Sequence, residues 1–280
     1  MKRSWRPWIV LSFFSLLILL LGHSWGDRQG LLWAVSLTLG LNCLFYFYGE
    51  LVLKPSFKGQ IIEGQDPWNL RRTLKALCLK ARIVEPQLIL LPLPAAQAFA
   101  VGRNPQNSRI YLTEGLLKKL STDEIEAVLA FELALIAKAH TLSMSLASTL
   151  LAGLLTITRS FDSVLCWLMG MKSANGRQSR AVLTLAAAPL AGFLLRLILR
   201  PEDFYQADHL ACQWIKEPRS LAQTLWKLEA LKMTEPWSPP PSTAHYFVIN
   251  PLTSPSWTGY FQVQPPVEER VRRLIGSYPL

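Results

Sequence analysis

Two long apolar stretches open the chain, and a short polar turn separates them. Residues 8–22 follow a cluster of basic residues, and residues 31–53 come soon after a turn around Asp27. Each stretch is long enough for a helix that crosses a bilayer. A cleaved signal peptide is disfavoured, because no small-x-small site follows the first stretch and the second begins at once. The pattern therefore predicts a transmembrane hairpin within residues 1–55.

Basic residues flank both ends of this hairpin. They are Lys2, Arg3 and Arg6 before it, and Lys54, Lys58, Arg71, Arg72, Lys75, Lys80 and Arg82 after it. Loops rich in lysine and arginine stay on the cytoplasmic side of a membrane. Both ends of the hairpin, and the domain that follows, are therefore expected in the cytosol.

From residue 66 to residue 138 the pattern is that of a folded α+β domain. It predicts an amphipathic helix over residues 66–82, strands over 87–92, 99–103 and 109–113, a turn at 104–107 and a short helix over 114–120. Ser121 and Glu124 have the spacing of a capping box, which predicts the start of a long helix.

Two more apolar stretches follow, over residues 141–158 and 182–199. Their length predicts two further membrane-spanning helices. The loop between them is basic, which is unfavourable for export, so a buried or partly inserted hairpin is the alternative. A helical region over 202–232 and a tail helix over 267–276 complete a domain expected to cover residues 56–280. The fold class predicted is thus an α+β membrane protein, mainly helical, with a small β-sheet.

Composition favours the same class. Half of the residues are hydrophobic and 17% are charged, with a net charge of +10. The basic residues lie mostly beside apolar segments, which favours contact with anionic headgroups of a lipid bilayer over binding of nucleic acid. The four cysteines, Cys43, Cys78, Cys166 and Cys212, are far apart, as is typical of a reducing compartment.

Seven short strings then follow one another in an order shared with one family. They are Gln-Ala-Phe-Ala-Val-Gly at 97–102, Leu-Thr-Glu-Gly-Leu-Leu at 112–117, Asp-Glu-Ile-Glu-Ala-Val-Leu-Ala at 123–130, Tyr-Gln-Ala-Asp at 205–208, the segment 218–228, Asn-Pro-Leu at 250–252, and Pro-Pro-Val-Glu-Glu-Arg at 265–270. In this order the chain resembles the HtpX family of membrane-embedded zinc metallopeptidases, which are of the gluzincin type. The resemblance runs nearly end to end and implies a zincin-like helical core.

The family's chemistry depends on H-E-x-x-H, in which two histidines one helical turn apart bind zinc and the glutamate polarises the attacking water. The matching residues here are Phe131, Glu132 and Leu135. The resemblance places a third ligand, a glutamate, directly before Tyr205, where this chain has Phe204. All three positions that would hold the metal therefore carry apolar side chains, and the motif is degenerate.

Phenylalanine and leucine have no lone pair for zinc, whose catalytic sites need three protein ligands. We therefore expect no zinc and no other cofactor, with Phe131, Leu135 and Phe204 packed together. Glu132, in the general-base position, is expected at the edge of this cluster, where solvent or a backbone amide can satisfy it. The residues that could form a relocated site are His140, Glu202, Asp203, Asp208 and His209; their spacing puts them on different faces. Another departure from the family is Gln264, which stands where relatives often have histidine before the double proline.

The hypothesis favoured by these residues is a catalytically inactive homologue that binds or regulates membrane proteins in the cytoplasmic membrane. Its partners would be membrane proteins or an active peptidase relative. The resemblance implies that an edge strand holds an extended peptide, here formed by Arg109, Ile110, Tyr111, Leu112 and Thr113. The alternatives are an active metalloendopeptidase with an unorthodox metal site, and a structural membrane protein whose groove has closed.

Overall fold

A computed structural model of the protein describes residues 6–48, 57, 59–62, 66–168, 182–252 and 257–276. The helices in this part of the chain are α1 (Arg6–Tyr48), α2 (Leu70–Ala81), α3 (Glu114–Lys119), α4 (Thr122–Ala137), α5 (His140–Leu168), α6 (Val182–Ile198), α7 (Pro201–Trp214), α8 (Pro218–Thr234) and α9 (Val267–Ile275). The strands are β1 (Gln60–Ile61), β2 (Gln87–Leu91), β3 (Ala98–Gly102) and β4 (Ser108–Thr113). The predicted class, a mainly helical α+β membrane protein with a small sheet, is confirmed.

The first helix is a hairpin. Its helical backbone breaks at Gly26 and Asp27, where Asp27 has φ 45°. Asn42 on the second arm donates a hydrogen bond of 3.1 Å to Ser15 on the first. In a straight helix these residues would be about 40 Å apart, so the two arms lie side by side. The arms pack closely near the turn, because a Cβ added to Gly22 would overlap Ala34.

Candidate membrane-spanning helices cover the first three of the four predicted apolar stretches. The described residues contain two segments of sufficient length and apolar character, Trp8–Cys43 with a mean hydropathy of 1.9 and His140–Leu168 with 1.5. The first is the hairpin, whose two arms are each long enough to cross a bilayer. Helices α6 and α7 meet the same criterion only as a pair bent by 44°. The α5–α6 pair is held by Asp162, whose carboxylate accepts the backbone N–H groups of Leu183 and Thr184 at 2.9 and 3.1 Å.

The boundary expected at residues 55 and 56, and most of the basic loop between the third and fourth apolar stretches, fall outside the described residues. The division into residues 1–55 and 56–280 stays a prediction. Contacts do join the two parts, because Val10 on α1 belongs to the main apolar core and Leu11 packs with Leu142 and Leu146 of α5.

The sheet has the strand order β1-β2-β4-β3. β2 pairs with β4 in parallel, and β3 pairs with β4 antiparallel, so β4 lies inside the sheet. The prediction that residues 109–113 form an edge strand is therefore wrong. The reason is the crossover: β4 follows β3 in sequence, yet it returns to pair with β2 as well.

Helix α4 is the centre of the domain. Ser121 and Glu124 form the predicted capping box, with Glu124 accepting the Ser121 N–H at 2.7 Å. Eleven of the side chains on α4 from Ala127 onward are buried, on all sides of the helix. It packs against α2, α7, α8 and β3. Because α4 is covered on every face, any functional site on this helix must also include residues of the elements that pack against it.

Candidate metal-site remnant and its polar neighbours

The three residues at the family's ligand positions lie in the core. Phe131 and Leu135 are one turn apart on α4, and Phe204 is in the first turn of α7, which packs against α4. Each has an exposed fraction of 0% and belongs to the same apolar cluster. None of the three carries a group that can coordinate a metal. Direct contact among the three side chains stays a prediction.

Glu132 is buried more deeply than expected. Its exposed fraction is 0%, and neither carboxyl oxygen has a hydrogen-bond partner. The expectation that solvent could reach it is wrong, because β3 packs directly on α4. Burial raises the pKa of Glu132 well above its ordinary value; the Ala100 backbone and the Arg270 guanidinium lower it by less. The Ala100 amide thus acts electrostatically without forming a bond of ordinary geometry. The neutral acid is the form this environment favours.

Arg270 of α9 is the largest polar group in this region. It donates two hydrogen bonds to the Asp208 carboxylate, at 2.8 and 2.6 Å, and a third of 2.7 Å to the Val248 carbonyl. Its guanidinium carbon lies 4.7 Å from the centre of the Phe131 ring. Both charged side chains are almost fully buried, with exposed fractions of 1% and 3%. A charge-assisted fork of this kind satisfies both partners without a metal.

The Asp208–Arg270 pair was not predicted. Both residues belong to strings that resemble the family, but they are 62 positions apart. No periodicity or spacing links two such distant positions. The only signal in the sequence is that each ends a family-like string, which does not say that they meet.

The candidates for a relocated metal site do not assemble. His140 Nδ1 lies 3.9 Å from the Asp203 carboxylate, and His209 contacts Gln213 at 3.2 Å. Asp208 is committed to Arg270, and Glu202 is exposed. Among the described residues no group of three or more His, Cys, Asp or Glu side chains is placed to hold a metal ion. The residues present therefore do not fit a zinc site.

The segment after α8 covers the outer edge of β3. The Val248 N–H donates to the Ala98 carbonyl at 3.1 Å, and Phe247 forms an antiparallel bridge with Phe99. Phe247 also packs on Phe57 and Trp237, with ring centres 6.2 and 5.1 Å away. The β3 edge beside Ala98 and Phe99 is therefore already paired within the chain.

Two polar side chains donate hydrogen bonds to backbone carbonyls of this segment. Gln264 donates its amide N–H to the Phe247 carbonyl, and Arg270 donates to the next carbonyl, that of Val248. His245 donates through Nε2 to the Met144 carbonyl, which is 2.9 Å away. Burial lowers the pKa of His245 to about 4, against a smaller raising effect of that bond, so its imidazole is neutral.

Comparison with known proteins agrees with this architecture. The model of Peptidase family M48 matches residues 65–277. A "Protease HtpX homolog" of Syntrophobacter fumaroxidans is 33% identical over 280 residues, covering 98% of this chain and 99% of the relative. Another, from Thermococcus sibiricus, is 29% identical over 276 residues, covering 96% and 94%. The chain therefore belongs to peptidase family M48, a family of membrane metallopeptidases.

A solved structure supports the fold. The crystal structure of S. mikatae Ste24p superposes with a TM-score of 0.53 at 19% identity, covering 98% of this chain and 68% of that protein. At this identity the likeness concerns the fold alone. Both relatives named above carry the name protease.

Proposed function

We propose that this protein is a non-hydrolysing member of peptidase family M48 that keeps the family fold without zinc. The observation that supports this most directly is the chemistry at Phe131, Leu135 and Phe204, which are fully buried and apolar. Losing one ligand weakens a zinc site, whereas losing all three removes the coordination that a catalytic zinc requires.

The state of Glu132 supports the same proposal. A general base must be ionised and within reach of the proton that it removes. Glu132 is buried, with a raised pKa, and neither of its oxygens has a hydrogen-bond partner. A carboxyl in this state neither activates water nor accepts a proton from it.

Metal content and cleavage test the proposal together. The purified full-length chain should contain far less than one zinc per molecule after expression in zinc-containing medium. Its cleavage of casein or of an unfolded membrane protein should equal that of the Glu132→Gln variant. Near-stoichiometric zinc, with cleavage that Glu132→Gln abolishes, would overturn the proposal and establish the second candidate, an active metalloendopeptidase with an unorthodox metal site.

We further propose that the protein acts by binding, in the cytoplasmic membrane and with its domain in the cytosol. The basic residues that flank the hairpin support this orientation, and partners would be membrane proteins or an active relative. A single cysteine placed at Gln87, an exposed residue on β2, should react with a thiol reagent only from the cytosolic side. Labelling from the opposite side would rule this orientation out.

Strand addition at residues 109–113 is no longer a route for such binding, because β4 is internal and the β3 edge beside Phe99 is paired with Phe247. A partner must therefore be recognised by another surface.

A further inference from the structure

The two arms of α1 leave a groove between them on one side of the hairpin, with a volume of about 710 Å³. The side chains that line this hairpin groove include Trp8, Ser12, Ser15, Leu16, Leu39 and Asn42. Those of the first arm recur every three or four positions, so they form one continuous face of the helix. Leu16 and Leu39 have exposed fractions of 56% and 62%, so the described part of the chain leaves the groove uncovered.

The polar residues of the groove lie midway along the hairpin. Ser15 is the central residue of the apolar stretch 8–22, and Asn42 is the central residue of the stretch 31–53. At 1.5 Å per residue, Ser15 lies about 16 Å from the break at Gly26, and the hydrocarbon core of a bilayer is about 30 Å thick. A hairpin that crosses the bilayer therefore carries these polar groups near its centre, where water and headgroups do not satisfy them.

Asn42 has more hydrogen-bonding groups than the hairpin uses. A carboxamide offers two N–H donors and one carbonyl acceptor. One N–H of Asn42 is donated to the Ser15 hydroxyl at 3.1 Å. Among the described residues, neither the second N–H nor the carbonyl oxygen has a hydrogen-bond partner. Because Asn42 lines the groove and is only half-buried, a helix lying in the groove can reach both groups.

A second hairpin satisfies these groups better than lipid does. Acyl chains form no hydrogen bonds, so a lipid in the groove leaves the Asn42 amide unsatisfied in hydrocarbon. Helices in membranes associate through such polar side chains, and small residues such as Ser12 and Ser15 let their backbones approach. One free donor and one free acceptor also make the amide self-complementary. A two-fold axis along the bilayer normal keeps two copies in the same orientation and lets their amides exchange a reciprocal pair of bonds.

We infer that the hairpin groove is the interface of a homodimer in the membrane, in which a second copy of this chain lays its hairpin along the groove. The two Asn42 amides bind each other at the centre, and apolar side chains such as Leu16 and Leu39 pack on either side. The inference concerns the hairpin alone, so it does not depend on the zinc ligands or on the binding role proposed above.

Förster transfer between donor- and acceptor-labelled copies of the full-length chain measures the dimer, in zwitterionic liposomes over a series of protein-to-lipid ratios. Asn42→Leu should raise the dissociation constant by about tenfold, as expected for two hydrogen bonds between helices in a bilayer. This substitution also removes the bond between the two arms. Ser15→Ala removes that bond but keeps the amide, and should have a much smaller effect.

A second variant blocks the groove without touching the Asn42–Ser15 bond. Ser12→Phe places a bulky side chain in the groove and should abolish transfer at the ratio where the parent chain is half dimeric. The matched control is Leu17→Phe, at an exposed position on the same arm that lies about 140° around the helix from Ser12. It should leave the dissociation constant unchanged.

Transfer no greater than random proximity at every ratio would overturn the inference. So would equal losses in Ser12→Phe and Leu17→Phe, or an unchanged dissociation constant in Asn42→Leu. A monomeric chain that retains another membrane protein through purification, and loses it in Asn42→Leu, would give the groove to a partner's helix in place of a second copy. A monomer without such a protein would leave the groove to lipid.

Discussion

Two buried carboxyls of this protein, Glu132 and Asp208, have different surroundings. Asp208 has two N–H donors from Arg270, whereas neither oxygen of Glu132 has a hydrogen-bond partner. Both side chains are inaccessible to solvent. A carboxylate buried with a fixed cation can remain ionised, but one buried without a partner is driven to its neutral form.

The comparison shows which parts of the family site depend on a metal. Asp208 is satisfied by a charge that belongs to the chain itself, so this ion pair needs no metal. Glu132 has the role of a base only beside a metal-bound water. With Phe131 and Leu135 in place of ligands, it becomes a buried acid that costs stability.

Restoring the three ligand positions should have the largest effect. Phe131→His, Leu135→His and Phe204→Glu together give up roughly 5–9 kcal/mol of apolar burial, at roughly 1.5–3 kcal/mol for each side chain. This approaches the whole stability of a typical domain, so the variant should be largely unfolded without zinc and regain structure when zinc is added.

Thermal unfolding in detergent, with and without zinc, measures this effect. The matched control is Phe131→Leu, Leu135→Met and Phe204→Leu, which keeps the region apolar and should cost less than the polar triple. If the polar triple is as stable as the parent protein in the absence of zinc, residues 131, 135 and 204 do not lie in one apolar core.

Removing one partner of the Asp208–Arg270 ion pair should have the second-largest effect on stability. Arg270→Met leaves the Asp208 charge and the Val248 carbonyl buried without a donor, and should cost about 3–5 kcal/mol. Arg272→Met, at an exposed neighbour that pairs with Glu269, should change stability by less than about 0.5 kcal/mol. Arg270→Met combined with Asp208→Leu should recover much of the loss. Additive losses in the double variant would mean that the two residues are not coupled.

The decrease in the free energy of unfolding at acidic pH should depend on His245. Its pKa is about 4 in the folded protein against 6.5 when exposed, so the unfolded chain binds the extra proton first as pH falls. Stability contributed by neutral His245 is complete above pH 6.5 and decreases by about 3 kcal/mol towards pH 4. His245→Gln keeps a donor for Met144 and should remove this decrease. The control is His209→Gln, at an exposed histidine; equal profiles for both variants would contradict the prediction.

Glu132 should give the opposite sign, and the smallest total effect over the interval from pH 5 to pH 6. Its folded pKa lies above the ordinary 4.5, so above that pH the unfolded chain releases a proton that the folded chain retains. Stability therefore decreases as pH rises, by about 1.4 kcal/mol per pH unit, until the folded pKa is reached. Chemical unfolding of Glu132→Gln at pH 5 and 6, with Glu126→Gln as control, should show that only the former removes the decrease. A Glu132→Gln variant less stable than the parent at both values would show that Glu132 is ionised and paired.

Secondary-structure elements could be predicted from the sequence where the residues that determine them are close together in the chain. The hairpin was predicted from two apolar stretches and a polar turn at Asp27, and the start of α4 from Ser121 and Glu124. These features depend on neighbours within a few residues, so the printed order of side chains is enough. That residues 131, 135 and 204 are apolar is also read from the sequence alone, and the family-like strings around them suggest which ligand positions they correspond to.

Tertiary structure decided the rest. That β4 is internal depends on which strands pair, and pairing across a crossover is set by packing of the whole sheet and not by the residues of β4. The burial of Glu132 depends on β3 lying against α4, and Ala100 on β3 is 32 positions away in the sequence. The Asp208–Arg270 pair joins α7 to α9. Such contacts arise only when distant segments bury their apolar faces together, because the residues of one segment do not determine which other segment will pack against it.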